Sequence, residues 1–305
     1  MLSQIMGWFA IEPPPAKLYH YTSAKGFKGI VESNRLWASS IYYLNDASEL
    51  QYGCDLLHQS LKKAFDALMD PGFEVGKAVL RRCLDTFHNP IEHYPDVYVC
   101  CFCESEDVLS MWRTYGVQGG FAIEFSLVRE RIFQLGPPSG GELFLRRVDY
   151  DRQSQELKLD TACNKFVDML RSLDQFLNPW IRTHPLEETG IASMVYFFQE
   201  ILVSILPSLK HPAFRDENEW RAIIRKSRAT GAADDQWKLN FRTSELGLIP
   251  YFEISPDTLY GTLPITKVVC GPSPNPQLAQ NSARLLLSGN FYTVAIEGSG
   301  IPARM

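Results

Sequence analysis

The 305-residue sequence lacks the short signatures of several common enzyme classes. It has no G-x-x-x-x-G-K-[ST] loop for phosphates, no G-x-S-x-G elbow for a serine nucleophile and no H-E-x-x-H pair for zinc. The run from Gly116 to Gly120 does not fit the dinucleotide fingerprint G-x-G-x-x-G, and we do not predict a helix after it. Kinase, serine hydrolase and zincin functions are therefore disfavoured.

The sequence also has few features of a metal site, an exported protein or a membrane protein. Three of its seven cysteines, Cys100, Cys101 and Cys103, crowd one apolar strand without C-x-x-C spacing, which predicts reduced core cysteines and no metal. Met1–Ala10 lacks a basic region followed by a long apolar core. We expect Ile191–Leu209 to be too short and too polar to span a bilayer. These features predict a cytoplasmic protein without a membrane partner.

Apolar and aromatic residues are plentiful enough for a large core. Hydrophobic residues make up 45% of the chain and aromatic residues 12%, which excludes a disordered class. The formal charge of −5 gives no overall attraction to nucleic acid, although the basic run Arg225, Lys226 and Arg228 allows a local one. The alternative is that this run is only a solvated strand end.

The hydrophobic patterns predict an α+β fold with a mixed, largely antiparallel sheet. We expect one domain over 1–305 with a helical insertion at about 151–212. Strands are predicted at 18–23, 36–40, 97–103, 121–125, 143–150, 219–224, 249–254, 265–270 and 291–296. Outside the insertion, helices are predicted at 24–33, about 47–68, 71–90, a segment that follows Asp107 and is capped by it, and 276–288.

Two polar stretches near the start of the chain are candidates for a site. His20 lies at the end of the first strand, within Tyr19-His20-Tyr21-Thr22, where it faces either a cleft or an ordinary core. Thr22 or Ser23 is expected to cap the following helix. Asn45 and the neighbouring Asp46 form either a turn with a helix cap or the polar wall of a site.

Two later stretches add aromatic and charged candidates. Trp112 and Tyr115 share one helical face, as core aromatics or as a plane for a flat ring beside the glycine run, where backbone can approach a ligand. By strand alternation Glu219 and Arg221 share one face, after Glu217. They are either a surface pair or an arginine that orients a catalytic acid.

Together these stretches resemble a bacterial family known as domain of unknown function 2971. The residues that carry the resemblance are Leu18–Thr22, Leu44–Asp46 with Glu49, Cys101–Cys103, Met111–Trp112 with Tyr115, Gly120–Phe125, Glu217–Arg221, Val268–Pro272 and Gly298–Arg304. The order and spacing of these motifs carry the likeness, and the family name implies no function.

The chain is also similar, more distantly, to the ADP-ribosyltransferase superfamily, whose members fold as a split α+β sheet around NAD. The likeness rests on a strand ending in His-x-Thr, a helix, an aromatic element and a late glutamate on a strand. It implies that His20, with Tyr21 and Thr22, binds the adenosine-side ribose. The remaining implied NAD contacts are Asn45 as a polar wall, Trp112 or Tyr115 on the nicotinamide, Arg221 on the pyrophosphate, and Glu219 or Glu217 on the nicotinamide ribose.

That resemblance implies cleavage of the nicotinamide–ribose bond and transfer of ADP-ribose to nucleic acid or protein, as in a toxin or phage-defence effector. The transition state is oxocarbenium-like, and a carboxylate aimed at the developing charge stabilises it. Two other functions remain open from the residues. One is a non-catalytic nucleotide-sensing module, and the other is a nuclease with Asp46, Glu49, Glu217 and Glu219 around a divalent cation.

Overall fold

The computed structural model describes residues 12–44, 48–68, 73–88, 97–116, 119–127, 141–181, 188–226, 238–244, 247–256 and 261–302. The chain divides into two compact units. The helical unit takes its described residues from 44–96 and 149–213, and the sheet unit from 12–43, 97–148 and 214–305. The predicted helical stretch, 151–212, falls in the helical unit, where it is joined by 44–96.

The described residues of the sheet unit form one ten-stranded sheet, mostly antiparallel, with β9 and β10 parallel. Its strands are β1 Lys17–Thr22, β2 Leu36–Ser40, β3 Val97–Cys103, β4 Phe121–Ser126, β5 Gly141–Arg147, β6 Glu219–Lys226, β7 Asn240–Ser244, β8 Gly247–Ile254, β9 Ile265–Cys270 and β10 Ala295–Gly298. The α-helices of the chain are α1 Ala24–Ser33, α2 Ser48–Asp66, α3 Glu74–Thr86, α4 Leu109–Tyr115, α5 Arg152–Ile181, α6 Glu188–Leu202 and α7 Pro276–Gly289. The α+β class is therefore confirmed.

Local sequence explains why α1 follows β1 directly. The hydroxyl of Ser23 accepts a hydrogen bond from the Gly26 amide at 3.2 Å, which makes Ser23 the predicted N-cap. The apolar residues Phe27, Ile30 and Val31 recur at helical spacing and are buried. Asn34 ends the helix in the left-handed conformation, with φ 56°.

Three arms of the sheet meet at β3. β6 pairs with β3 over its whole length, so β1 and β2 must share the opposite edge of β3. β1 pairs there only at Cys103, and β2 only at Tyr98 and Val99. β1 then continues into the arm β4-β9-β10, and β2 into the arm β8-β7. We call the place where β1 and β2 separate, beside residues 100–102 of β3, the strand fork.

The two faces of this sheet differ in chemistry. The core face carries Leu18, Phe102 and Trp220, which pack with apolar residues of α1 and α7. The opposite face, called the Glu219 face, carries Tyr19 and Glu219, both of them aligned with Cys103 across the strands. Directly opposed residues in an antiparallel pair project to one side of the sheet, so register alone assigns each side chain to a face.

The helical unit has its own core, in which Phe198 of α6 stacks on Phe166 of α5 with ring centroids 4.2 Å apart. The amide of Gln155, which is fully buried, donates to the carbonyls of Asp149 and Lys210 and satisfies both. These contacts tie the start of α5 to the chain after α6. The unit is therefore held by packed aromatic rings and by one buried polar side chain.

One segment of the helical unit is long and apolar enough to cross a membrane, contrary to our expectation. Glu188–Ser208 has 21 residues and a mean hydropathy of 1.5. Its α-helical part stops at Leu202, and 15 residues rise only about 22 Å against a hydrocarbon core of about 30 Å. Val195, Phe198 and Ile201 are buried in the unit. These are features of the core helix of a soluble protein.

Three local predictions differ from the structure. β7 was not predicted, because its residues 240–244 are polar and mostly exposed. The last strand was expected at 291–296, but β10 starts at Ala295, and Phe291 lies in a turn with φ 65°. Asp107 does not cap α4, because its carboxylate accepts from the Trp112 indole at 2.6 Å and from Ser299 at 2.6 Å.

Candidate functional site

His20 lies at the strand fork, where its imidazole completes the hydrogen bonding of β3. Nδ1 is 2.8 Å from the carbonyl oxygen of Cys101. A carbonyl only accepts, so the neutral ring carries its proton on Nδ1 and leaves Nε2 as an acceptor. The side chain is half-buried, and no described residue bonds to Nε2. Burial lowers the pKa of His20 against the opposing effect of the Cys101 bond, so the ring is neutral at pH 7.

Glu219 and Arg221 form a buried bidentate ion pair at the start of β6. Nε of Arg221 donates to one carboxylate oxygen at 2.8 Å and Nη2 donates to the other at 2.9 Å. The two residues are 4% and 1% exposed, so the predicted sharing of one face is correct and the surface-pair alternative is wrong. The geometry matches the planar fork of a guanidinium, which favours two parallel hydrogen bonds.

The structure does not bring His20 and Glu219 to the same face. His20 is opposite Ile123 of β4, a residue of the core face. The centroid of its ring is 5.8 Å from that of Phe102, in an edge contact. Glu219 is opposite Cys103 and projects from the other face. The implied arrangement, with both side chains on one bound NAD, is therefore not assembled on either face of the sheet.

Cys101 is the link between these two residues. Its carbonyl accepts from His20, and its side chain projects from the Glu219 face, opposite Arg221. Burial raises the pKa of this thiol, and the negative charge of Glu219 raises it further. The thiol is therefore protonated at neutral pH and is a poor nucleophile.

The predicted aromatic residues belong to a small core on the Glu219 face. Trp112 and Tyr21 are buried, with ring centroids 4.7 Å apart in an edge contact, and Tyr115 packs against the same cluster. The Tyr21 hydroxyl donates to the Ser105 carbonyl at 2.9 Å and accepts from the Val108 amide at 3.1 Å. Trp112 and Tyr21 thus already have partners within the protein, and the burial of Trp112 favours the core-aromatic alternative for that residue.

The glycine run approaches its own chain, where a ligand was expected. A Cβ atom on Gly120 would lie 2.4 Å from the Cα of Gly116 and 3.0 Å from the Thr22 carbonyl oxygen. Thr22 itself is half-buried at the end of β1. Gly120 is therefore required for the close packing of β4 on the end of β1.

The remaining predicted site residues are Asn45, Asp46, Glu217 and Glu49. Asn45 and Asp46 fall outside the described residues. Glu217 is half-buried at the end of a short 3-10 helix, Pro212–Glu217. Glu49 is in the helical unit, where Lys210 binds it at 2.8 Å with both side chains buried. Within the described ranges, no group of three or more His, Cys, Asp or Glu side chains could hold a metal ion.

Sequence reasoning missed another buried carboxylate, Glu124 of β4. It accepts from the Tyr19 hydroxyl at 2.7 Å and from Thr266 at 2.6 Å, and Lys17 lies 2.9 Å away. Burial alone would raise its pKa, but these partners lower the pKa below its ordinary value. The only signal in the sequence is a charged residue in the middle of the apolar strand Phe121–Ser126.

The fold and this centre define an α+β protein with a forked sheet and a buried ion pair beside the fork. Residues 111–222 match the family described as Protein of unknown function (DUF2971), which is the family that the sequence motifs resemble. The match includes Trp112, Tyr115, Glu219 and Arg221, whereas His20 precedes it. No curated protein and no solved structure is significantly similar to the chain.

Proposed function

We propose that the sheet unit binds NAD at the strand fork and that the protein is a cytoplasmic nucleotide-binding module. The observation that carries this proposal is the half-buried His20, whose Nδ1 proton is directed at Cys101 and whose Nε2 has no partner among the described residues. A ribose hydroxyl donates to such an acceptor, and the fixed tautomer means that the ring does not reorganise on binding.

We expect first that NAD binds without being cleaved, because the charge of the Glu219 carboxylate is already neutralised. Both oxygens of its carboxylate accept from Arg221. A carboxylate in that state stabilises a developing oxocarbenium ion less than a carboxylate whose charge is uncompensated. His20 and Glu219 also project from opposite faces. These two features support a sensor over an enzyme.

ADP-ribose transfer is the second candidate, and the position of Cys101 favours it. The carbonyl of this one residue accepts from His20, and its side chain is on the Glu219 face opposite Arg221, so the two implied ends of an NAD site are close neighbours. If a diphosphate replaced Glu219 as the partner of Arg221, the freed carboxylate would stabilise positive charge on the ribose. The nicotinamide C–N bond would break, and a nucleophile on nucleic acid or protein would take the ribose and release its proton.

The binding proposal is tested with His20→Asn. The asparagine amide can still donate to the Cys101 carbonyl, but it cannot place an acceptor where Nε2 lies. By calorimetric titration, we expect the full chain to bind NAD and His20→Asn to bind at least about fivefold more weakly, from the loss of one hydrogen bond. His88→Asn is the matched control, because His88 is exposed in the helical unit. Unchanged affinity in His20→Asn contradicts the proposal.

Turnover is tested by measuring nicotinamide release from NAD by the unmodified chain, with nucleic acid and protein acceptors present. Binding without release supports the sensor, and release supports the transferase. If nicotinamide is released, Glu219→Gln is expected to abolish release, whereas Glu217→Gln, at the end of the preceding 3-10 helix, retains it. Release that survives in folded Glu219→Gln would remove Glu219 as the acid.

A further inference from the structure

A second polar cluster lies on the Glu219 face, on the arm formed by β2, β8 and β7. Ser39 of β2 is opposite both Val99 of β3 and Tyr251 of β8, and Tyr251 is opposite Asn240 of β7. Val99 is opposite Ile223, which is two residues from Arg221 on the same strand. By alternation Trp37, Ser39, Tyr251 and Arg242 therefore project from the Glu219 face, on the opposite side of the sheet from His20.

Arg242 has a charge that nothing in the described chain neutralises. Its Nη2 reaches across β8 to the Ser39 hydroxyl, at a long 3.4 Å. Its Nε is buried and has no hydrogen-bond partner in the described ranges, and no described carboxylate lies within ion-pair distance. A guanidinium is always charged and carries five N–H donors, so this arrangement leaves most of them available. Burial lowers the pKa of Arg242, as expected for a cation that has lost water without gaining an anion.

Aromatic side chains lie beside this cation. The ring of Trp37 is 4.6 Å from that of Tyr251, tilted by 33°, and Trp37 is 39% exposed. One side of the indole is therefore covered by Tyr251, and a large part of the rest faces solvent. Burial raises the pKa of Tyr251, and its hydroxyl is protonated at neutral pH. The cluster thus combines a guanidinium, two hydroxyl groups and an open aromatic surface.

We infer that Arg242, Ser39, Tyr251 and Trp37 form a binding site for a nucleoside monophosphate. The phosphate oxygens accept from the unused guanidinium donors and from the two hydroxyls. An anion thereby provides the negative charge and the acceptors that the described chain does not give to Arg242. The base stacks on the exposed part of Trp37, and stacking on an aromatic plane accepts any base. This site is independent of the NAD site at the strand fork, since the two lie on opposite faces of the sheet.

The matched control for this site is Arg35, which lies on the same arm. Its Nε is 3.3 Å from a Glu253 oxygen, and its Nη1 donates to the Ser255 hydroxyl. Arg35 therefore has the carboxylate partner that Arg242 lacks, and Arg35→Gln removes the same amount of charge from the arm. Phe241 of β7 is the control for Trp37, because it is 57% exposed but projects from the core-face side.

The experiment is a calorimetric titration of the full chain with AMP, adenosine and inorganic phosphate. We expect AMP to bind more tightly than either fragment, and Arg242→Gln to weaken AMP binding about tenfold or more. Trp37→Leu is expected to weaken it about threefold to tenfold. Arg35→Gln and Phe241→Leu are expected to stay within about twofold, since neither touches the ligand.

A second variant at Arg242 separates a loss of AMP affinity from a failure to fold. Arg242→Lys retains the charge but loses the planar fork, so we expect it to fold normally by circular dichroism and to bind AMP more weakly than the unmodified chain. The proposal is overturned if the unmodified chain binds neither AMP nor phosphate, or if Arg35→Gln loses as much affinity as Arg242→Gln.

Discussion

Arg221 and Arg242 lie on the same face of the same sheet, and they differ in what surrounds their charge. Arg221 is 1% exposed and gives two hydrogen bonds to Glu219. Arg242 is half-buried, has one long hydrogen bond, and has no partner for Nε among the described residues. A buried cation that pairs with an anion of the same chain has its charge neutralised by the fold. A buried cation without such an anion lowers the stability of the protein unless an anionic ligand binds it.

The comparison separates residues that hold the sheet from residues that serve a ligand. Strand alternation in the sequence brings Glu219 and Arg221 together, so the most noticeable charged motif is satisfied internally. Arg242 lies on a strand that the sequence did not reveal, and it is the residue that needs a partner. In this sheet an unsatisfied donor indicates function better than a conspicuous motif does.

The largest expected effect is for Arg221→Met, which leaves the Glu219 carboxylate buried without its partner. We expect a loss of about 3–5 kcal/mol in the free energy of unfolding. Urea denaturation of the full chain, followed by circular dichroism, measures this difference. A loss below about 1 kcal/mol would mean that Glu219 reaches water and that the pair is not structural.

A smaller loss is expected for Glu124→Gln, because Glu124 is a satisfied anion on the same sheet. Three donors surround its carboxylate, and removing charge-assisted hydrogen bonds costs about 1.5–3 kcal/mol. The lowered pKa of Glu124 means that its contribution is present above pH 4.5 and is lost as the pH falls below that value. Urea midpoints at pH 7 and at acidic pH check both statements, and a variant with unchanged acid sensitivity contradicts them.

The next effect is a pH dependence that arises from His20. Its folded-state pKa is lowered below 6.5, so the unfolded chain binds a proton more readily. Stability is then complete above pH 6.5 and declines as the pH falls through and below it. We expect His20→Asn to flatten this part of the stability profile, measured by urea midpoints between pH 5 and 8. A profile of equal slope in both proteins would show that His20 is exposed and titrates normally.

The smallest expected effect is for Arg242→Met, and it distinguishes Arg242 from Arg221 most clearly. No described carboxylate pairs with Arg242, so we expect a change below about 1 kcal/mol, in either direction. The same denaturation assay measures it beside Arg221→Met. A loss equal to that of Arg221→Met would mean that Arg242 has a structural partner, and the nucleoside monophosphate site would lose its main support.

Local patterns were enough to predict much of the sheet unit. The hydroxyl cap at Ser23, the apolar strand Val97–Cys103 and the shared face of Glu219 and Arg221 all follow from short-range periodicity. The face of His20 does not, because it depends on how β1 pairs with β3 and β4, far away in the sequence. A register shift of one residue reverses the face of every side chain on a strand.

The same reason explains why the Arg242 cluster was missed. Its residues come from β2 and from the neighbouring strands β7 and β8, and β2 lies about two hundred positions before them in the sequence. The sequence 240–244, Asn-Phe-Arg-Thr-Ser, is too short and too polar to indicate a strand by itself. No composition signal marks a charge that has no partner among the described residues, since which residues surround a charge is a property of the folded structure.

The proposal that NAD binds at the strand fork is tested most directly by nitrogen NMR of the protein labelled with 15N-histidine, with and without NAD. The chain has six histidines, and His20→Asn identifies the signal of interest. We predict that free His20 is neutral at pH 7 with its proton on Nδ1, and that NAD shifts its Nε2 resonance in the direction expected for an acceptor that gains a hydrogen bond. A proton on Nε2, or an Nε2 resonance that saturating NAD leaves unmoved, would contradict the proposal that the strand fork binds NAD.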